Sequence, residues 1–160
     1  MMKTATVREL KLELKEKSQK ELIEICLALS KFKKENKELL TYILFESENE
    51  AQYIENVKEE CLELFEEINT KSVYYIKKGV RKILRNIKKY IRYSKQKETE
   101  IELLLFFCTK LNNCIPNRYE SKVLYNILET QLNIVKKKIP MVHEDLQYDY
   151  ERELLAFSSK

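Results

Sequence analysis

The sequence predicts an all-α fold: an irregular antiparallel helical bundle or short helical array of about eight helices. Three observations predict it. Apolar residues recur at steps of three and four along most of the chain, the period that turns one helix face inward. One glycine, Gly79, and two prolines, Pro116 and Pro140, are all that 160 residues contain, and sheets joined by tight turns need more of both. Two capping boxes, Thr6-x-x-Glu9 and Ser18-x-x-Glu21, mark helix starts, because each pair satisfies backbone N–H groups that the first turn leaves open.

The elements follow in order. The first helix opens at Thr6 with Val7, Leu10 and Leu14 on one face, and the second opens at Ser18 with Leu22, Ile25, Cys26 and Leu29. A third, about 34–45, ends in the apolar cluster Leu39, Leu40, Tyr42, Ile43, Leu44 and Phe45. The fourth, about 48–68, carries Ile54, Val57, Cys61, Leu64 and Ile68 at helical spacing. The fifth, about 72–94, repeats the rhythm with Val73, Ile76, Val80, Ile83, Ile87 and Ile91. The sixth, about 98–115, is the most apolar and is expected at the centre, with Asn112, Asn113 and Pro116 closing it. The seventh, about 121–139, stops at Pro140, and the eighth covers about 142–157 before a Ser-Ser-Lys tail. Turns of a few residues make successive helices antiparallel neighbours, and no linker interrupts them. A single domain over 1–160 is therefore expected.

Composition narrows the function classes. Apolar residues are 44% and charged residues 35% of the chain, a balance that supports a core beneath a heavily charged surface. The longest uncharged apolar runs, such as Leu103 to Thr109, reach seven residues, against the ~20 that a bilayer demands. No apolar leader follows Met1, and the four cysteines, Cys26, Cys61, Cys108 and Cys114, form no Cys-x-x-Cys pair. A cytoplasmic protein with reduced, mostly buried thiols is expected. Scarcity of glycine removes phosphate-cradling loops and dinucleotide fingerprints, and no Gly-x-Ser-x-Gly elbow occurs. No catalytic residue, cofactor, metal or small-molecule substrate is expected.

The strongest feature is a charge block. From Lys71 to Lys97 there are eleven basic residues and no acidic one. Lys77, Lys78, Arg81, Lys82, Arg85, Lys88, Lys89, Arg92 and Lys95 fall within an arc of roughly 140° at 100° per residue, opposite the aliphatic stripe. Tyr74 projects on the basic side and Tyr75 and Tyr93 lie at its margin. Such a stripe suits a phosphate backbone with bases to stack, or an anionic membrane surface. It also has a structural explanation. The preceding segment, 46–68, carries nine glutamates and one lysine, Lys58, so an acidic and a basic helix are expected to pair, with flanking charges fixing their register. Whole-chain charge is only +4.

A second polar cluster surrounds the only histidine: His143, Glu144, Asp145 and Asp149. Asp145 and Asp149 share a helical face, yet a metal site needs at least three converging ligands, and paired Glu-x-x-His motifs need two histidines. The expected role of Glu144 and Asp145 is to complement the helix dipole in the first turn, with His143 structural beside them.

The stretch Glu102-Leu103-Leu104-Leu105-Phe106-Phe107-Cys108-Thr109-Lys110-Leu111, the run His143-Glu144-Asp145-Leu146-Gln147-Tyr148-Asp149-Tyr150, and the basic stretch from Tyr74 to Tyr90 resemble segments of an uncharacterised bacterial family of small helical proteins. The resemblance covers about 72–155. It implies a helical fold and a bacterial cytoplasmic setting, and carries over no catalytic residues. The resulting expectation is a non-enzymatic helical module whose partner is another protein or a second copy of itself. A nucleic-acid-associated protein using the basic helix at 71–97 is the alternative, and membrane association is not expected.

Overall fold

In the computed structural model, residues 1–114 and 121–158 are described, and every element among them is helical. The helices are α1 (Val7–Lys15), α2 (Gln19–Phe32), α3 (Lys34–Thr41), α4 (Glu50–Glu66), α5 (Val73–Ser94), α6 (Lys97–Cys114), α7 (Lys122–Lys138) and α8 (Glu144–Ser158). A π turn, Tyr42–Glu46, extends α3, and a 3-10 turn, Ile139–Met141, follows α7 and holds Pro140. Asn112 and Asn113 lie inside α6; Ile115 and Pro116, expected at its end, and the last two residues of the tail lie outside the described residues.

The chain divides into two compact units, Met1–Phe45 and Glu46–Lys160. Both capping boxes form in the first unit. Thr6 Oγ1 accepts from the Glu9 amide at 3.3 Å while Glu9 returns a carboxylate oxygen to the Thr6 amide at 2.7 Å. Ser18 and Glu21 repeat the arrangement. These bonds, to the backbone first and, for both, to the capping side chain, hold the Glu9 and Glu21 carboxyls below their usual 4.5. Helix α2 packs on α3, and Asn36 Nδ2 donates to the Leu29 carbonyl at 2.8 Å across their junction. The apolar stripes meant for a core are exposed here. Val7 is 83% and Leu29 57% accessible, Leu10 and Leu14 are exposed, and Leu22 and Ile25 are half-buried.

The second unit holds a true core. Helices α4, α5 and α6 pack pairwise on one another, and α6 also packs on α7 and α8. A helix touched on several sides must be apolar on several sides, and α6 is. Ile101, Leu103, Leu104, Leu105, Phe107, Cys108 and Leu111 are all buried along it. Each large side chain buried there contributes about 1.5–3 kcal/mol. Facing residues come from each neighbour: Val57, Cys61 and Phe65 from α4, Val80, Ile83 and Ile87 from α5, and Leu124, Leu128, Leu132 and Val135 from α7. Phe65 and Phe107 meet at 5.8 Å between ring centroids. At the turn between α5 and α6, Glu50 Oε1 accepts hydrogen bonds from Ser94 and, at 2.5 Å, from Thr99, which ties the start of α4 to that turn.

Candidate anionic-partner surface

Helix α5 begins where Ser72 Oγ accepts from the Tyr75 amide at 3.5 Å. It ends at Lys95, which adopts the left-handed conformation at φ 59° while its N–H bonds back to the Ile91 carbonyl. Between these caps one face is committed to the core: Val80, Ile83 and Ile87 are buried, while Ile76 and Ile91 are half-buried. Gly79 lies on that same side. A Cβ there would come within 2.9 Å of Ile68 Cγ1, so the lone glycine lets the end of α4 approach α5.

The basic residues take the other face. Lys78, Arg81, Lys82, Arg85, Lys88, Arg92 and Lys95 are exposed, and Lys77 and Lys89 are half-buried at its edges. Tyr74 is 64% accessible and Tyr75 46%, and the two rings meet edge to face at 5.4 Å. Tyr93 is half-buried against Tyr90.

Most of the basic face takes no part in the expected charge pairing with α4. Among the described residues, Lys77, Lys78, Arg81, Lys82, Arg85, Lys88, Arg92 and Lys95 hold no ion pair. Polar links between α4 and α5 run through Ser94, which donates to Glu50, and through two tyrosines: Tyr53 Oη donates to the Tyr90 carbonyl at 2.9 Å, and Tyr90 Oη donates to the Glu60 carboxylate at 2.7 Å. The physical reason lies in the helix faces. The aliphatic stripe of α5 faces the core, so these eight cations are turned away from α4's carboxylates.

Lys58, the lone cation of the acidic segment, does pair. Its Nζ lies 2.8 Å from Glu55 Oε1 and 3.4 Å from Glu102 Oε2, and although partial burial works against its charge, these two carboxylates hold its ammonium above the usual value. Tyr150 Oη donates to Glu102 at 3.3 Å, and burial, with Glu102 beside it, pushes the phenol up. Glu153 completes the group, its carboxyl raised by burial and then by Glu102. These side chains line a shallow cleft of about 410 Å³ with Phe106, Thr109, Leu146 and Asp149. Sequence reasoning missed this cluster because its members sit on α4, α6 and α8, and no local spacing signals them.

The histidine cluster does not converge. His143 precedes α8, its carbonyl accepting from the Leu146 and Gln147 amides and its Nδ1 from the Asp145 amide at 3.3 Å. The Asp145 carboxylate lies 3.5 Å from the same Nδ1. All four residues are exposed, Asp149 lines the cleft described above, and no group of three or more metal-binding side chains occurs among the described residues. The cysteines are free, as expected, but only Cys61 and Cys108 are buried; Cys26 and Cys114 are exposed. Cys26 follows the apolar stripe of α2, a helix with no buried residue, and Cys114 is the last residue of α6, beyond its buried stretch.

No protein-family model, curated protein or solved structure matches this chain.

Proposed function

We propose that this chain is a non-enzymatic helical interaction module that binds a nucleic acid through the basic face of α5. The observation that supports this best is that the exposed cations of this face, Lys78, Arg81, Lys82, Arg85, Lys88, Arg92 and Lys95, engage no carboxylate among the described residues. Concentrating like charge on one face costs self-repulsion, which phosphates relieve while releasing their condensed counterions. The modest whole-chain charge does not oppose this reading, because none of the acidic residues that offset it lies between 71 and 97 and the local field is what a partner meets. A membrane partner fits less well. An interfacial helix inserts its apolar face, and that face of α5 is already buried in the core. No described helix is long and apolar enough to cross a membrane. The bacterial cytoplasmic setting belongs to the same proposal. Fluorescence anisotropy with a labelled nucleic acid tests it. Wild type binds and loses affinity steeply with salt, whereas Arg81→Gln/Arg85→Gln/Lys88→Gln/Arg92→Gln loses binding. Equal binding by both proteins sinks the reading.

A second reading, binding to protein, is favoured by the exposed apolar residues of α1 and α2: Val7, Leu10, Leu14, Ile23, Leu27 and Leu29. The occupant it commits to is a second copy of the chain. The mixed charges of α1, Arg8, Glu9, Lys11, Glu13, Lys15 and Glu16, are self-complementary. Sedimentation equilibrium would then show a dimer that Leu10→Ser/Leu14→Ser dissociates, and a wild type that stays monomeric at high concentration contradicts it.

A further inference from the structure

We propose that the anionic partner of α5 is double-stranded DNA, with the helix lying in the major groove, arginines towards the base edges and lysines towards the two phosphate backbones. This rests on the nucleic-acid reading above and narrows it.

The order of cations around the helix supports it. At about 100° per residue, Arg81, Arg85 and Arg92 fall in a central band roughly 40° wide. Lys77 and Lys88 flank that band on one side, and Lys78 and Lys82 flank it on the other. The two residue types differ chemically. The guanidinium fork matches the O6 and N7 acceptors of guanine in a bidentate pair, whereas the ammonium is a point charge suited to phosphate. A helix lying in a groove turns its lowest line to the bases and its two shoulders to the groove walls. Arginine on the line and lysine on both shoulders is the distribution that geometry calls for. Tyr74 continues the central band towards the start of α5 and is exposed, so its hydroxyl can bond to base or backbone.

Dimensions agree. A helix is about 10–12 Å across with its side chains and the major groove is about 12 Å wide. From Arg81 to Arg92 the rise is about 16 Å, or roughly five base pairs at 3.4 Å each. The opposite side of α5 is held by α4 and α6, which makes the helix a rigid reader rather than a segment that folds on contact.

Other polymers fit less well. Duplex RNA has a deep, narrow major groove that side chains cannot read. Single strands need a row of open aromatic platforms, but the exposed Tyr74 and Tyr75 sit together at one end of α5, packed edge to face on each other, and Tyr93 at the other end is half-buried against Tyr90.

The test uses the full chain and four labelled probes: a GC-rich DNA duplex, the same duplex with 7-deazaguanine for guanine, its single strand, and an RNA duplex, with heparin as a fifth competitor. The expected result is tightest binding to the unmodified DNA duplex, weakened at least fivefold by 7-deazaguanine, which lacks the N7 acceptor. Arg81→Lys/Arg85→Lys/Arg92→Lys keeps every charge and is expected to fold. It should abolish the 7-deazaguanine effect and leave the salt dependence intact. Lys77→Gln/Lys88→Gln should keep the effect and flatten the logarithmic salt slope by about 2, since each phosphate contact contributes about 0.9. Equal affinity for all probes and heparin overturns groove reading while leaving the anionic-surface reading standing, and preference for single strands or RNA does the same. Binding to none of them overturns both.

Discussion

The Tyr90 hydroxyl donates to the Glu60 carboxylate at 2.7 Å, and with it a tyrosine supplies one of the polar links from α5 to its acidic neighbour, beside the bond from Ser94 to Glu50. Tyr90 lies on the core side of α5 and is half-buried, while its hydroxyl reaches Glu60 at the surface. Tyr90→Phe should cost about 1 kcal/mol in urea unfolding. A cost within error of zero would show that the link adds nothing to the α4–α5 pairing.

Gly79 and Ile68 make a steric prediction. Alanine is better than glycine in a helix interior by about 1 kcal/mol, yet the 2.9 Å approach to Ile68 Cγ1 leaves no room for its methyl. Gly79→Ala should therefore destabilise, by about 1–3 kcal/mol as overpacking does. In an Ile68→Ala background the same change should become neutral or stabilising. Additive costs in that double-mutant cycle would place the strain elsewhere.

Carboxylates in the two units should respond to acid with opposite signs. The Glu9 and Glu21 carboxyls are held below 4.5 by backbone and side-chain bonds to Thr6 and Ser18. Their contribution is present above 4.5 and is lost as pH falls through the lowered values. Glu153 is held above 4.5 by burial and then by Glu102. Its contribution is fully present below 4.5 and is lost as pH rises through the raised value. Glu153→Gln should accordingly stabilise the protein at neutral pH and flatten its stability profile above 4.5. Equal stability of variant and wild type at pH 7 would remove Glu153 from this account.

Thiol reactivity should split the cysteines in pairs. Burial, with Glu60 beside Cys61 and Glu129 beside Cys108, pushes both thiols up to about 12, so almost no thiolate is present at neutral pH. Cys26 and Cys114 are exposed. A maleimide probe should modify two thiols in the native protein and four after denaturation, and uniform labelling of all four would contradict the burial.

Local signals in the sequence were legible, and relations between helices were not. Thr6-Glu9 and Ser18-Glu21 are read from spacing because a capping box closes within one turn. The all-round apolar composition of 101–111 placed α6 at the centre, since only a helix contacted on several sides tolerates it. The basic face of α5 was equally visible. Its relation to α4 was not, because adjacency of opposite charge in sequence gives no information on which face of each helix turns inward. The Lys58–Glu102–Tyr150 group joins residues 44 and 48 apart, beyond any local pattern. The stripes of α1 and α2 show the opposite failure: period reveals that a helix is amphipathic, not what covers its apolar side.

The central claim is that the cations of α5 serve something outside the fold, and thermal unfolding of Arg81→Gln/Arg85→Gln/Lys88→Gln/Arg92→Gln tests it most directly. Glutamine keeps the helix propensity of these positions, and none of the four residues holds an ion pair among the described residues. The melting temperature should stay level or rise slightly as repulsion along the face is relieved. A fall of several degrees, equivalent to a loss of about 1–2 kcal/mol for a protein of this size, would mean that the basic face stabilises its own chain, and would contradict the claim.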